Sequence, residues 1–228
     1  MVVIVIIGLL VVMMSRIFAY QDEQKRFKQT LETMKQVKQA ILGEEKVYVN
    51  GQRIFTGYIS DMGNLPDNQT DLWEKGSKPT WHYDNSTRIW AGWRGPYIEK
   101  PPDGKLRDGW GNPLKFSKTG GNMTIESWGA DGKPGGEGYN EDINTTITTN
   151  QYLGEIIGRM VGNATTIVVI NYPESGNVTS KNCTVDSGDY FRFDNIPIGV
   201  RSIYDNATGH TMVFTVEPTG NFIGEIGT

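Results

Sequence analysis

The chain has 228 residues, 22 Lys plus Arg against 26 Asp plus Glu, and a formal net charge of -4. This weakly acidic balance excludes the basic surface that nucleic-acid binding requires, and the single cysteine, Cys183, excludes an internal disulfide. The 28 glycines, six tryptophans and ten tyrosines are typical of a turn-rich, mostly β body, and the length allows one or two domains beside an N-terminal helix.

The chain begins MVVIVIIGLLVVMMSRIFAY, in which no polar side chain precedes Ser15 and Arg16. A membrane span needs about 20 apolar residues, so this run is about six residues too short. No basic residue precedes it and no small-residue cleavage site follows it, which disfavours a cleaved signal peptide. Two interpretations remain: a single-span anchor, or the front half of a helix that packs against copies of itself.

An amphipathic segment continues the same helix. Its apolar residues recur at spacings of three and four, which is one face of an α-helix: Phe27, Leu31, Met34, Val37 and Ile41. Gly43 is a typical C-terminal stop. The two segments together predict one helix of about 42 residues and about 63 Å.

Short strands and turns are predicted after Gly43. We expect a hairpin around an Asn-Gly turn from Lys46 to Tyr58, a loop-rich stretch from Ser60 to Gly95, and a linker at Asn144–Asn150 (NTTITTN). Two short strands are predicted between the loop-rich stretch and the linker: Leu114–Phe116 and Met123–Trp128.

The last third of the chain has a purely β pattern. Turn residues separate its segments at the spacing of a small antiparallel sandwich. The predicted strands are Gly154–Gly162, Thr165–Asn171, Asp189–Phe193, Gly199–Tyr204 and Thr211–Val216.

The segment MVVIVIIGLL closely resembles the N-terminal helix of type IV pilins and type II secretion pseudopilins. That resemblance implies that six further residues precede Met1, among them a glutamate and a methylated N-terminal amine. It also implies that Gly8 lies mid-membrane before assembly, and that Arg16 stands where the family has a helix-breaking proline. The residues expected in the filament core are Val5, Gly8, Leu9, Leu10 and Phe18.

A second resemblance concerns the stretch DGWGNP from Asp108, IESWGADG from Ile125, Gly135-Gly136 and Glu141-Asp142-Ile143. In this order the motifs closely resemble the C-terminal half of the major pseudopilin. GYISDMGNLP from Gly57 and GWRGPY from Gly92 are similar to further parts of the same group. The resemblance covers about residues 1–145.

The Gly-rich stretch 129–142 carries oxygen ligands and no His or Cys, which points to calcium rather than zinc or copper. The residues alone leave a solvated acidic turn as an equal alternative, because their spacing is not that of an EF-hand. The pseudopilin resemblance implies calcium, bound by side chains of Asp131, Asn140, Glu141 and Asp142 and by backbone carbonyls around Ser127 and Trp128.

Eight asparagines lie in N-x-T sequons, the acceptor of N-linked glycans on secreted proteins. An unmodified polar surface is the alternative. The eight residues are Asn68, Asn85, Asn122, Asn144, Asn163, Asn177, Asn182 and Asn206.

The segment GDYFRFDNIPIG, from Gly188 to Gly199, resembles the signature of carboxypeptidase-regulatory-like, transthyretin-like sandwiches. It implies a small adhesion or spacer domain. No catalytic residue is expected: His82 and His210 are isolated, and Cys183 has only Lys181 as a basic neighbour.

These features predict an α+β protein with an N-terminal helix (1–43), a pilin-type β body with a calcium loop (44–149) and a β-sandwich (150–228). The resemblance implies a filament subunit that is inserted in the inner membrane and then polymerises with itself, through the pilus or secretion machinery, into an extracellular filament. It implies neither enzymatic activity nor a nucleic-acid partner. The alternatives are a minor tip subunit with a ligand-binding sandwich, and an anchored envelope protein that does not polymerise.

Overall fold

The computed structural model describes residues 2–44, 48–49, 52–53, 56–161, 167–206 and 209–226. Helix α1 (Val2–Leu42) is continuous over 41 residues, as its periodicity predicts, and it remains helical at Arg16. Gly43 ends it in a left-handed conformation with φ 89°, and its N–H donates to the Gln39 carbonyl at 2.7 Å. Among the described helices, none has the length and apolar character that crossing a membrane requires.

The chain divides into two compact units. The first comprises Met1–Gln36, Lys105–Ser117 and Thr124–Thr146, and the second comprises Val37–Gly104, Lys118–Met123 and Ile147–Thr228. The predicted domain boundaries at residues 43 and 149 stay a prediction.

A two-stranded ladder follows α1. Strands β1 (Tyr48–Val49) and β2 (Gln52–Arg53) pair antiparallel, as expected for the predicted hairpin, whose other residues from 46 to 55 lie outside the described residues. The prediction that this hairpin runs to Tyr58 is wrong, because Tyr58 begins helix α2 (Tyr58–Met62). All five residues of α2 are buried.

The loop-rich stretch contains more regular structure than predicted. Besides α2 it holds a 3₁₀ helix at Gln69–Leu72 and the antiparallel hairpin of β3 (His82–Asp84) and β4 (Ile89–Ala91). The 3₁₀ helix begins at a capping box, in which the Asn68 side chain accepts from the Thr70 N–H at 2.9 Å.

Strands β5 (Lys115–Thr119), β6 (Asn122–Ser127) and β7 (Ile143–Ile147) form one sheet in the order β5-β6-β7. The prediction of a linker at Asn144–Asn150 is therefore wrong. Thr and Asn are common in linkers, but β-branched Thr and Ile also suit a strand once a partner exists. Ile147 is fully buried, and the short helix α3 (Thr149–Tyr152) follows directly.

The remaining strands form a β-sandwich. They are β8 (Leu153–Met160), β9 (Ile167–Glu174), β10 (Asn177–Thr184), β11 (Tyr190–Pro197), β12 (Gly199–Asp205), β13 (Thr211–Val216) and β14 (Asn221–Ile226). One sheet has the order β10-β9-β12-β13 and the other β11-β8-β14. Both sheets contribute to a single apolar core that includes Ile156, Ile170, Phe191, Phe193 and Ile203.

The five strands predicted here are confirmed over their described residues except at Val161 and Asp189, which lie just outside β8 and β11. Strands β10 and β14 were not predicted. Strand β10 (NVTSKNCT) lies at a sheet edge and is mostly exposed, so it lacks the alternation of apolar residues that signals a strand. Strand β14 pairs parallel with β8 and contains Gly224, which breaks its apolar pattern.

A buried ionic cluster joins α2 to β12 within the second unit. The Asp61 carboxylate accepts from Arg94 Nε at 2.9 Å and from the Tyr97 hydroxyl at 3.0 Å. Arg201 is 1% exposed, and its guanidinium donates to main-chain carbonyls, including those of Pro197 at 2.9 Å and Ser60 at 3.2 Å. Burial raises the pKa of Asp61 to about 7 and lowers the pKa of Arg201 to about 9, because both charges are removed from water.

Candidate metal-binding loop

The Gly-rich segment from Trp128 to Asp142 connects β6 to β7 and folds tightly on itself. Gly129 and Gly136 are both left-handed, with φ of 58° and 95°. A Cβ atom at Gly129 would lie 2.6 Å from the carbonyl carbon of Asn140, and one at Gly136 would lie 2.5 Å from the Asn140 oxygen. Only glycine permits both the backbone conformation and this close approach to the Asn140 carbonyl.

Two of the predicted ligands are positioned by main-chain donors. Asp142 Oδ2 accepts from the Gly135 N–H at 2.8 Å, and Asp131 Oδ1 accepts from the Lys133 N–H at 3.1 Å. The second oxygen of Asp142, Oδ1, is buried and has no hydrogen-bond partner among the described residues. A buried carboxylate oxygen without a donor is energetically costly, and a bound cation would compensate it.

The donor set fits calcium better than a transition metal. Within the described ranges, no group of three or more His, Cys, Asp and Glu side chains is arranged to hold a metal. Side-chain carboxylates would therefore need main-chain carbonyl oxygens beside them, which is the mixed oxygen set that calcium accepts. The side chains of Asn140 and Glu141 are exposed, as is that of Asp131.

The side chains of Ser127 and Trp128 are engaged elsewhere. Ser127 Oγ donates to Asp108, while Trp128 Nε1 donates to Glu126 at 2.9 Å and its ring lies 4.4 Å from the Lys115 ammonium. Any contribution of these two residues to a metal site is therefore limited to their backbone carbonyls, as the pseudopilin resemblance implies.

The DGWGNP turn supports the loop from one side through Asp108, which is 4% exposed. Its carboxylate accepts from the Trp110 N–H at 3.0 Å, the Asn112 N–H at 2.8 Å and Ser127 Oγ at 2.6 Å. Asn112 Nδ2 in turn donates to the Gly129 carbonyl at 2.8 Å. These bonds connect the turn to the first residues of the candidate metal-binding loop.

The same turn is fixed to helix α1 by its next two residues. The Gly109 N–H donates at 2.9 Å to Thr30 Oγ1, which is fully buried, and Trp110 Nε1 donates at 2.6 Å to Glu23 Oε2. A Cβ atom at Gly109 would lie 2.0 Å from the Arg26 carbonyl oxygen, so no larger residue fits there without movement of the backbone.

Tyr139 holds the far side of the loop against α1. Its ring centroid lies 6.2 Å from that of Tyr20, 6.3 Å from that of Phe27 and 6.4 Å from that of Trp110. These edge-to-face and tilted geometries are favourable for aromatic pairs. The loop is thus attached to α1 both by the DGWGNP turn and by this aromatic cluster.

Comparison with protein families gave a match to the family of type II secretion system (T2SS) protein G. The family model matches residues 32–146, which is half of the chain and includes the DGWGNP turn and the candidate metal-binding loop. The chain belongs to the type II secretion system protein G family. Comparisons with curated proteins and with solved structures gave no match.

Membership of the protein G family identifies the chain as a pseudopilin of a type II secretion system, an envelope-associated component of that machinery. The family is structural rather than enzymatic. The match ends at residue 146, so it does not cover the sandwich. The resemblance of the sandwich to carboxypeptidase-regulatory-like domains stays a prediction.

Several residues that build the loop's surroundings were not predicted. Asp108 and Asn112 belong to a motif that was recognised, but their bonds to β6 and to the loop are visible only in the fold. Thr30 and Glu23 are polar residues on α1 that give no distinctive signal.

The predicted glycan acceptors are distributed over both units. Asn122 is half-buried, and its Oδ1 accepts from the Thr149 N–H at 3.1 Å. Asn163 lies outside the described residues. The other six are exposed: Asn68, Asn85, Asn144, Asn177, Asn182 and Asn206.

Proposed function

We propose that this pseudopilin polymerises through the N-terminal half of α1 into a filament that reaches beyond the inner membrane. Before assembly, the same apolar helix segment is inserted in that membrane, and the secretion machinery extracts and adds each subunit. Calcium holds the loop between β6 and β7 in its folded form. The filament is the structural product, and no catalytic step is involved.

The observation that supports polymerisation is the exposure of the first half of α1 in the single chain. Its apolar side chains are half to two-thirds exposed. Exposing so long an apolar surface to water is unfavourable, and such surfaces mark interaction sites. Leu10 is 53% exposed and Phe18 is 63% exposed, and the others are Val3, Ile6, Ile7, Val11, Met13, Met14 and Ile17. Packing the helices of neighbouring subunits together removes this surface from water. Gly8, which has no atom near its Cβ position, leaves room for close approach of a neighbouring helix.

Phe18→Glu tests the assembly surface. We expect it to abolish filaments, because a carboxylate would be buried among apolar helices without a partner. Phe222→Glu is the matched control, since Phe222 on β14 is 65% exposed but lies in the sandwich. Filaments sheared from cells that produce each variant are counted by electron microscopy and immunoblotting. Equal assembly of Phe18→Glu and the wild type would refute the proposal, and so would a subunit that is absent from sheared material.

Calcium binding is supported by the orphaned Asp142 Oδ1 and by the convergence of the loop on the Asn140 carbonyl. The residues proposed to hold the ion are Asp131 and Asp142, with oxygens from Asn140, Glu141 and the Ser127–Trp128 backbone. The bound ion would neutralise the carboxylates and link the two ends of the loop. In a chain with one cysteine, this link replaces a disulfide.

The metal claim is tested by thermal unfolding in calcium and in excess chelator. Calcium at about 100 times its Kd would stabilise the fold by about 2.7 kcal/mol, which raises Tm by roughly 5–10 °C for a protein of this size. Asp142→Asn should abolish that increase. Glu137→Gln should retain it, since Glu137 is an exposed acid of the same loop without a proposed ligand role. Equal Tm values of the wild type in calcium and chelator would contradict the proposal.

Glycosylation of the exposed sequons is the third part of the proposal. Asn177 and Asn182 both lie on β10, an edge strand of its sheet. Glycans there would shield the unpaired edge from pairing with other chains. Intact-mass measurement of protein from its native source tests this part, and a mass equal to that of the bare polypeptide would end it.

A further inference from the structure

A groove of about 480 Å³ lies in the second compact unit, and none of its lining residues belongs to α1 or to the candidate metal-binding loop. Three segments form it: the residues after α2, the β5–β6 turn, and the strand ends of the sandwich at β8, β9 and β11. Its volume is within the range of small-molecule sites. The residues that carry the argument are Asn64, Lys118, Tyr172, Glu174 and Asn195.

Asn64 supplies a buried acceptor without a partner. Its Nδ2 donates to the Leu65 carbonyl at 3.0 Å, but its Oδ1 is buried and accepts no hydrogen bond from any described residue. The neighbouring Gly63 packs directly against β9, because an ideal Cβ at Gly63 would overlap the Pro173 carbonyl. A buried acceptor held in this way carries a desolvation cost that a donor from a ligand would remove.

Asn195 shows a second departure from regular structure at the same groove. It has a φ of 61°, in the left-handed region that non-glycine residues rarely occupy. It lies where the pairing of β11 with β8 shifts register between Phe193 and Ile196, so it belongs to a β-bulge. Bulges and strained residues concentrate beside binding sites, where they redirect a side chain.

The side chains that line the groove include both hydrogen-bond donors and acceptors. Glu174 is an exposed acceptor, and Lys118 is a donor whose ammonium also pairs with Asp67 at 2.5 Å. The half-buried Tyr172 offers a ring face and a hydroxyl, and Tyr152 uses its own hydroxyl to bond the Gly121 carbonyl at 2.7 Å. The lining thus carries one acid and one base, so a ligand with a strong charge of either sign gains no net electrostatic attraction from it.

We propose that this groove binds a neutral, hydroxyl-rich ligand, namely one or two sugar residues. A sugar hydroxyl can both donate and accept a hydrogen bond. Sugar hydroxyls would donate to Asn64 Oδ1 and to the Glu174 carboxylate, and would accept from the Lys118 ammonium. The Tyr172 ring lies against the apolar face of the sugar. The pseudopilin thereby recognises a saccharide through its second compact unit, and this activity is separate from filament assembly.

The full chain is tested on a panel of immobilised neutral mono- and disaccharides, and each retained sugar is then titrated by calorimetry. Glu174→Gln and Tyr172→Phe should each weaken binding about tenfold, because each removes a hydrogen bond to the ligand. Asn64→Asp should also weaken it, since an added charge would be desolvated in the groove. Tyr190→Phe and Glu155→Gln are matched controls, because both residues belong to the sandwich but do not line the groove.

Retention of a saccharide that is lost in the three groove variants and kept in the two controls supports the proposal. The proposal is wrong if no sugar is retained at millimolar concentration, or if the groove variants bind as the wild type does. Thermal unfolding of every variant separates loss of binding from loss of fold. Phe18→Glu should bind the sugar normally, so failure of filament assembly and failure of saccharide binding are distinguishable.

Discussion

Asp61→Asn tests the buried ionic cluster through the pH dependence of stability. Asp61 is 1% exposed, and burial raises its pKa to about 7 despite the opposing effects of Arg94, Tyr97 and Arg201. One pKa unit corresponds to about 1.4 kcal/mol, so holding this carboxylate ionised costs roughly 4 kcal/mol relative to the unfolded chain. Asparagine has nearly the same shape and cannot ionise.

The sign follows from proton linkage. A group whose folded pKa is raised contributes stability that is fully present below its unfolded pKa, near 4, and is lost as the pH rises towards 7. The wild type should therefore lose up to about 4 kcal/mol relative to Asp61→Asn between pH 4 and pH 8. At acidic pH the Asp61 carboxyl is protonated in the folded wild type, so no charge is buried. At pH 8 it is ionised, and the stability of the variant relative to the wild type increases.

Urea unfolding followed by tryptophan fluorescence, at intervals from pH 4 to pH 8, gives this difference directly. Asp84→Asn is the control of opposite sign, because hydrogen bonds from Ser86 and Thr87 lower the pKa of Asp84. The contribution of Asp84 to the free energy of unfolding is present above the unfolded pKa and is lost as the pH falls. If the stability of the wild type relative to Asp61→Asn stays constant or increases as the pH rises, then the arginines outweigh burial and the reasoning is refuted.

Two further predictions concern packing. Gly109→Ala should lower the free energy of unfolding by about 1–3 kcal/mol, because its Cβ would overlap the Arg26 carbonyl; Gly220→Ala, with open space at its Cβ position, should change it little in the same urea assay. Phe191→Ala should cost about 3–5 kcal/mol by opening a cavity in the sandwich core. Tyr190→Ala, at the exposed neighbouring position, is its control, and equal losses in that pair would contradict the core assignment.

Much of the secondary structure could be predicted because it rests on local periodicity. Helix α1 and its end at Gly43 follow from the spacing of apolar residues and from glycine's tolerance of the left-handed conformation. The alternating strands β8, β9 and β11 to β13 were predicted for the same reason. Strands with weak patterns were missed: β10 is a polar edge, and the threonines of β7 become a strand only because β6 lies beside them.

The sequence by itself determined the family, the composition of the candidate metal-binding loop and the apolar character of the N-terminal helix, because each depends on residues that are adjacent in the chain. The tertiary structure decided which of these residues meet. It alone brought Asp108 within hydrogen-bond distance of Ser127, left one Asp142 oxygen without a donor among the described residues, and buried Asp61 and Arg201 deeply enough to shift their pKa values. Burial, desolvation and hydrogen-bond pairing depend on distances between residues far apart in the chain, and no local pattern specifies them.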